Sequence, residues 1–218
     1  MRAHLLDAVM VVCSSEGKGH AAVIDDVIRQ AEVSRGTFYK YFDSLEQAVA
    51  ALAHQMADEM AGGGIETVYT SVTEPLLRTC TGFQLYLLRA LIEPQWGDFF
   101  CHVGLLNSES ALSAKIVGDI EAGIASGDYS VPSIQIALDM LIGTKVEAIR
   151  RLISGNAGPD YIVAMTSIVL RALGVSASKA DYVSAAAFDR ICGEAPQYLS
   201  WWKPREEWGD VKSAQYGE

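Results

Sequence analysis

Long apolar runs are missing from this chain: none approaches the roughly 20 residues that a membrane span needs, and no basic-then-apolar pattern opens its N-terminus. A membrane partner is set aside on that ground, and a cytoplasmic location is expected. Cysteine is scarce. Cys13, Cys80, Cys101 and Cys192 share no C-x-x-C spacing and have no neighbouring His pattern, so neither a zinc site nor a disulfide framework is indicated; reduced, mostly buried thiols are expected. Alternating apolar–polar runs are absent too, which removes half-buried strands and leaves an all-α reading. Basic residues number 17 against 27 acidic ones, a formal net charge of −10. That balance argues against a general nucleic-acid or membrane-surface binder, because non-specific affinity comes from Lys and Arg neutralising phosphates.

Catalytic patterns are missing as well. No nucleophile, base and acid share a motif, no metal-ligand spacing appears, and no phosphate loop is present. Gly17-Lys18-Gly19-His20-Ala21-Ala22 matches G-x-G-x-x-A only superficially: that motif needs a preceding strand within a βαβ unit, whereas a helical pattern precedes it here, so a turn is the better reading. No enzyme activity, metal or cofactor is expected.

What the chain does hold is apolar residues at helical spacing, making up half of the sequence. From Arg2 to Ser15, Leu5, Leu6, Val9, Val12 and Cys13 form one stripe, and Ile24, Val27, Ile28 and Ala31 repeat at i, i+3, i+4, i+7. Glu32-Val33 then separates this second helix from a third, Val33 to Phe42, and the pair reads as a helix-turn-helix. Ser34 is a natural N-cap for the third helix. At roughly 100° per residue, Phe38 and Phe42 share a buried side; Gly36, Thr37 and Lys40 lie opposite, flanked by Tyr39 and Tyr41, with Arg35 opening the helix outward. A small residue, cations and two phenols on one face suit a DNA groove. The surrounding segment is acidic: Arg2, Lys18, Arg29, Arg35 and Lys40 are outnumbered by acids from Asp7 to Glu59.

The run V-S-R-G-T-F-Y-K-Y-F resembles the recognition helix of the TetR-type bacterial transcriptional regulators, whose pattern S-x-G-x-(aromatic or Leu)-Y-x-(His or Tyr)-F is met by Ser34, Gly36, Phe38, Tyr39, Tyr41 and Phe42. Leu5 to Val9 resembles that family's first helix, and Ile24 to Ser34 its second helix and turn. The resemblance covers about the first sixty residues. It implies operator DNA as partner, contacted by Ser34, Arg35, Gly36, Thr37, Tyr39, Lys40 and Tyr41. Three departures stand out: Ala22 and Val23 where the family often has Thr, Glu32 for the usual turn Gly, and Leu45 for the common Lys. Each removes a phosphate contact or adds negative charge, so a salt-sensitive binder of modest affinity is expected.

After Phe42, Asp43 or Ser44 caps a longer helix with Leu45, Ala48, Val49, Leu52, Met56 and Met60 on one stripe, ended by Gly62-Gly63-Gly64. Its 18 or so residues would span about 27 Å, and the resemblance makes it the link between reading and ligand-binding parts. Further helices are predicted at roughly 74–93, 94–104, 109–126, 132–154, 159–173 and 176–192, with Pro94, Pro132 and Pro159 each in a first helical turn and a break at Pro196. Helices 132–154 and 159–173 carry more apolar surface than one intramolecular face needs. The resemblance makes them a homodimer interface, with Leu138, Leu141, Ile142, Val146, Ile149, Ile162, Met165 and Val169 as candidates. Phe83, Tyr86, Trp96, Phe99, Phe100, His102 and Met140, together with Leu105, are candidates for a pocket taking a small apolar or aromatic ligand, or are ordinary core. Arg89 and Glu147 are candidates to pair inside the bundle or simply to be exposed. In the tail, Trp201, Trp202 and Trp208 are costly to expose and are expected to pack on the bundle or on a partner subunit, with a lid over the pocket as the lesser alternative.

The chain is therefore read as all-α: a helix-turn-helix DNA-binding domain (1–43), a linking helix (44–64), a ligand-binding and dimerisation bundle (65–194) and an aromatic tail (195–218). The function expected is a ligand-responsive repressor binding a palindromic operator as a dimer. The alternative is a helical dimeric ligand-binding or interaction module whose helix-turn-helix has lost DNA binding.

Overall fold

The computed structural model describes residues 1–14, 23–103 and 111–208. The Gly17–Ala22 turn and Leu105 lie outside them. Every described element is helical: α1 (Arg2–Cys13), α2 (Ile24–Gln30), α3 (Arg35–Tyr39), α4 (Leu45–Ala61), α5 (Gly63–Thr70), α6 (Pro75–Ile92), α7 (Pro94–Val103), α8 (Ala111–Ala125), α9 (Ile134–Ile153), α10 (Pro159–Ala172), α11 (Ala177–Tyr198) and a single 3-10 turn at Arg205–Glu207. No described helix is long and apolar enough to cross a membrane.

The N-terminal three helices close on a small core of Leu5, Leu6, Val9, Val27, Phe38 and Phe42. His4 Nε2 lies 2.9 Å from the Ala31 carbonyl, fixing α1 to the end of α2. The face of α4 carrying Ala48, Leu52, Met56 and Met60 is buried; α4 packs on α1, α5 and α7. Ser44 is its N-cap, the hydroxyl accepting from the Gln47 amide at 3.2 Å. At 1.5 Å per residue its 17 residues reach about 25 Å, from the three-helix lobe to the bundle.

The bundle is built around α6. All residues from Thr79 to Ile92 except Gly82 are buried, as a helix surrounded on all sides requires, and α5, α7, α8, α9, α10 and α11 all pack on it. Its buried Gln84 amide donates to the Ser184 carbonyl at 2.9 Å, while the oxygen of the same amide is buried without a hydrogen-bond partner among the described residues.

Four sequence expectations need correction. The triple glycine ends α4 but also starts α5: Gly62 is extended and Gly63 opens the next helix. A Cβ on Gly64 would sit 1.7 Å from the Tyr198 carbonyl, so this close approach of α5 to the end of α11 requires glycine. Pro132 precedes α9 rather than entering it, because Ser133 takes the N-cap and accepts from the Ile136 amide at 3.1 Å. Pro196 does not break α11, which runs to Tyr198 with the proline in its last turn. Arg89 pairs not with Glu147 but with Glu59 (2.7 Å) and Glu93 (3.3 Å), while Glu147 lies 3.8 Å from Arg150.

The tail packs on its own bundle. Trp208 is buried edge-on against Phe188 and donates from Nε1 to the Lys203 carbonyl at 2.7 Å. Trp201 covers the Arg89 guanidinium at 5.5 Å, and Trp96 of α7 lies 4.7 Å from the same group. Arg89 thus joins α6, α7, the tail and, through Glu59, the end of α4.

Candidate functional site

The α2–α3 connection is a helix stop closed by two hydrogen bonds: the Glu32 amide donates to the Arg29 carbonyl (3.3 Å) and the Val33 amide to that of Ile28 (3.2 Å). The residue between must be left-handed. Glu32 is, with φ 51°. This turn sets α3 at an angle to α2. Ser34 then caps α3, accepting from the Thr37 amide at 3.1 Å, and its hydroxyl also lies 2.9 Å from that of Thr37.

On α3 the two faces separate as the periodicity requires. Phe38 and Phe42 are buried, whereas Arg35, Gly36, Tyr39, Lys40 and Tyr41 are exposed and Thr37 is half-buried. The regular helix is shorter than Val33–Phe42: it ends at Tyr39, and Lys40 to Phe42 follow as turns held by the Phe38 carbonyl. The cations are not equivalent. Arg35 donates to Asp25 at 2.9 Å; the side-chain ammonium of Lys40 has no ion-pair or hydrogen-bond partner among the described residues. Helix α2 has the exposed Val23 as its N-cap residue, whose amide donates to the Asp26 carboxylate at 3.3 Å, while no described side chain caps the first-turn amides.

A cavity of about 60 Å³ lies where α4 and α5 meet α6, α8 and α9. Met60, Ile65 and Tyr69 form one wall; Phe83 and Tyr86 of α6, Ile116, Asp119 and Ile120 of α8, and Leu141 and Lys145 of α9 form the others. Of the residues proposed from sequence, Phe83 and Tyr86 are in this wall. Trp96, Phe99 and Phe100 are buried behind it: Trp96 and Phe100 stack at 5.0 Å and Phe100 lies 5.5 Å from Tyr86. His102 is exposed at the end of α7, its Nδ1 2.9 Å from the Asp98 carbonyl, and Met140 is half-buried outside the wall.

Sequence reasoning missed Lys145 and Asp119. Lys145 is buried, and its ammonium lies over the rings of Tyr86 (4.2 Å) and Phe83 (5.6 Å). Burial lowers its pKa to about 7, with the charge of Asp119 pulling upward. Asp119 itself accepts from Arg78 Nε at 2.6 Å and from the Tyr69 hydroxyl. Burial and that bond to Asp119 raise the Tyr69 pKa, so the phenol stays protonated as a donor. The available signal was a lysine at i+4 and i+7 from Leu141 and Leu138 on an apolar stripe.

The residues proposed for a dimer interface divide. Leu138, Leu141, Ile149, Ile162 and Val169 are buried within the protomer, while Ile142, Val146 and Met165 are half-buried. The large apolar side chains left exposed on these helices and α11 are Ile136 (57% exposed), Ile168 (53%), Tyr182 (75%) and Tyr198 (46%).

The model of the Tetracyclin repressor-like, C-terminal domain matches residues 79–186, the span from the buried part of α6 into α11. The chain belongs to the TetR family. No curated protein matches it in sequence. Among solved structures, RolR in complex with resorcinol superposes with a TM-score of 0.64 at 22% identity, over 84% of this TetR-family chain and 92% of that one. A γ-butyrolactone receptor described as ArpA-like gives 0.58 at 14% identity, over 86% and 96%. A TetR family transcription regulator from Marinobacter aquaeolei VT8 gives 0.58 at 14%, over 87% and 94%. The three-helix lobe, linking helix and bundle are thus the TetR arrangement; proteins of this family are transcription factors, not enzymes.

Proposed function

We propose that this TetR-family protein is a ligand-responsive repressor that binds a palindromic operator as a homodimer. The observation that carries the reading is α4: it starts at Leu45, shortly after the reading helix, and places Met60 of its last turn in the cavity wall. In this reading residues 1–43 contact DNA through Ser34, Arg35, Gly36, Thr37, Tyr39, Lys40 and Tyr41, residues 44–64 transmit, residues 65–194 bind ligand and dimerise, and the tail from 195 braces the bundle. The cavity volume supports transmission: at about 60 Å³ it is smaller than the roughly 150 Å³ cavity that accepts benzene. A ring entering it must spread the walls, so the ligand prefers an expanded state, and only such a difference in affinity shifts an equilibrium. That RolR is solved with resorcinol supports a small aromatic molecule as ligand here. The exposed Ile168 and Tyr182 of α10 and α11 support a second copy of the chain as the cover for that face.

A second reading, a helical module without DNA binding, is favoured by the Arg35–Asp25 pair and the exposed Glu32 beside the reading face. Footprinting the purified protein on DNA flanking its own gene separates them. The first reading expects a protected inverted repeat; protection nowhere, at low salt, leaves the second.

A further inference from the structure

Lys145 reaches the cavity as a cation for which the described wall residues supply no free carboxylate; the one unpartnered side-chain oxygen among them is the neutral hydroxyl of Thr79. Its ammonium has two ring faces beside it, which return only part of the hydration lost on burial. The nearby carboxylate, Asp119, is already engaged by Arg78 and Tyr69. The remaining charged groups of the wall, Glu66 and Lys115, pair with each other at 2.6 Å. A neutral occupant can offer the buried ammonium a hydrogen bond but no counter-charge, a cation would repel it, and a phosphate would want more donors than one lysine offers.

We propose that the effector is an apolar organic acid bound as its anion, one carboxylate oxygen on Lys145 Nζ and the hydrocarbon body against Phe83, Ile120 and Leu141. The proposal rests on the reading of this cavity as the effector site and names the chemistry it selects. The carboxylate fits the space present; a larger body wedges the wall that contains Met60. Because burial lowers the Lys145 pKa to about 7, the group is about half protonated at pH 7 and the anion also completes its charge: the neutral fraction of the amine takes a proton from the buffer as the ion pair forms.

The test is calorimetry on the full-length protein at pH 7, in two buffers of different ionisation enthalpy, with valerate, benzoate and the neutral isostere benzamide. The acids are expected to bind at least about tenfold more tightly than benzamide, with uptake of about half a proton. Lys145→Met, verified as folded by circular dichroism, should lose both the preference and the uptake while binding benzamide no worse than wild type. Equal affinity of the wild type for benzoate and benzamide, binding without proton uptake, an unchanged preference in Lys145→Met, or no acid binding at millimolar concentration overturns the proposal. An operator-release assay keeps the two readings apart. Release by benzamide and not by benzoate sinks the acid and leaves the regulator; acid binding through Lys145 without release leaves the acid site and sinks the regulator.

Discussion

Glu32 sits at φ 51°, a conformation that costs an L-residue about 1–2 kcal/mol and glycine nothing comparable. Glu32→Gly should therefore stabilise the protein by about 1 kcal/mol once the glycine's larger unfolded-state entropy is subtracted, raising the melting temperature by about 2–4 °C. It also removes an acid beside the reading face, so operator affinity should rise in the same variant. A lower melting temperature would show that the glutamate makes a compensating contact. Lys145 gives the second residue-scale expectation. Its pKa falls from 10.5 to about 7 on burial, so between those values the unfolded chain holds a proton that the folded chain has lost, and stability rises with pH across that window. Lys145→Met should be the more stable protein at pH 7, by roughly 2–4 kcal/mol, with the advantage shrinking as pH rises towards 10. Urea midpoints of both proteins at pH 7 and 9.5 check this; a pH-independent gap contradicts it. The Ser34 cap and the buried Phe38 and Phe42 were legible in sequence because cap chemistry and helical period are local. The Arg35–Asp25 pair and the Lys145 environment were not, since both depend on how separate helices cross.

At the scale of elements, the end of α4 is held by two contacts that no window of sequence reveals. Arg89 ties Glu59 to the aromatic rings of α7 and the tail, and Gly64 lets α5 touch the carbonyl of Tyr198. Gly64→Ala cannot be accommodated without moving backbone on one side. It should cost about 1–3 kcal/mol and release the tail, seen as a red shift and faster quenching of the Trp201 and Trp202 fluorescence. Unchanged emission with unchanged stability would mean that this packing is loose. Helix α5 escaped the sequence reading because glycine is a poor helix former, and tertiary contact, not propensity, places it. The helix ends expected at 126, 154 and 173 were legible for the opposite reason: each is followed by a glycine, Gly127, Gly155 or Gly174, with positive φ, which glycine supplies cheaply.

The whole molecule adds what no protomer shows. Periodicity marked helices 132–154 and 159–173 as apolar nearly all round, but that pattern is the same whether a helix is covered by its own chain or by another copy. Leu138, Leu141, Ile149, Ile162 and Val169 are covered by their own chain, and Ile168 and Tyr182 are exposed on the face that the proposed dimer would cover. A dimer must place its two reading helices in successive major grooves, about 34–36 Å apart. A labelled palindrome is therefore expected to bind far more tightly than its isolated half, and equal affinity would remove the dimer from the account.

The central claim is that the cavity and the reading helix are coupled through α4, and coupling between binding sites is reciprocal. On one sample, the affinity for benzoate is measured by tryptophan fluorescence with and without operator DNA, and operator affinity with and without benzoate. Both are predicted to weaken by one common factor, in the range of about 5- to 150-fold. Benzoate bound in the cavity with the same affinity whether or not operator is present would contradict the account.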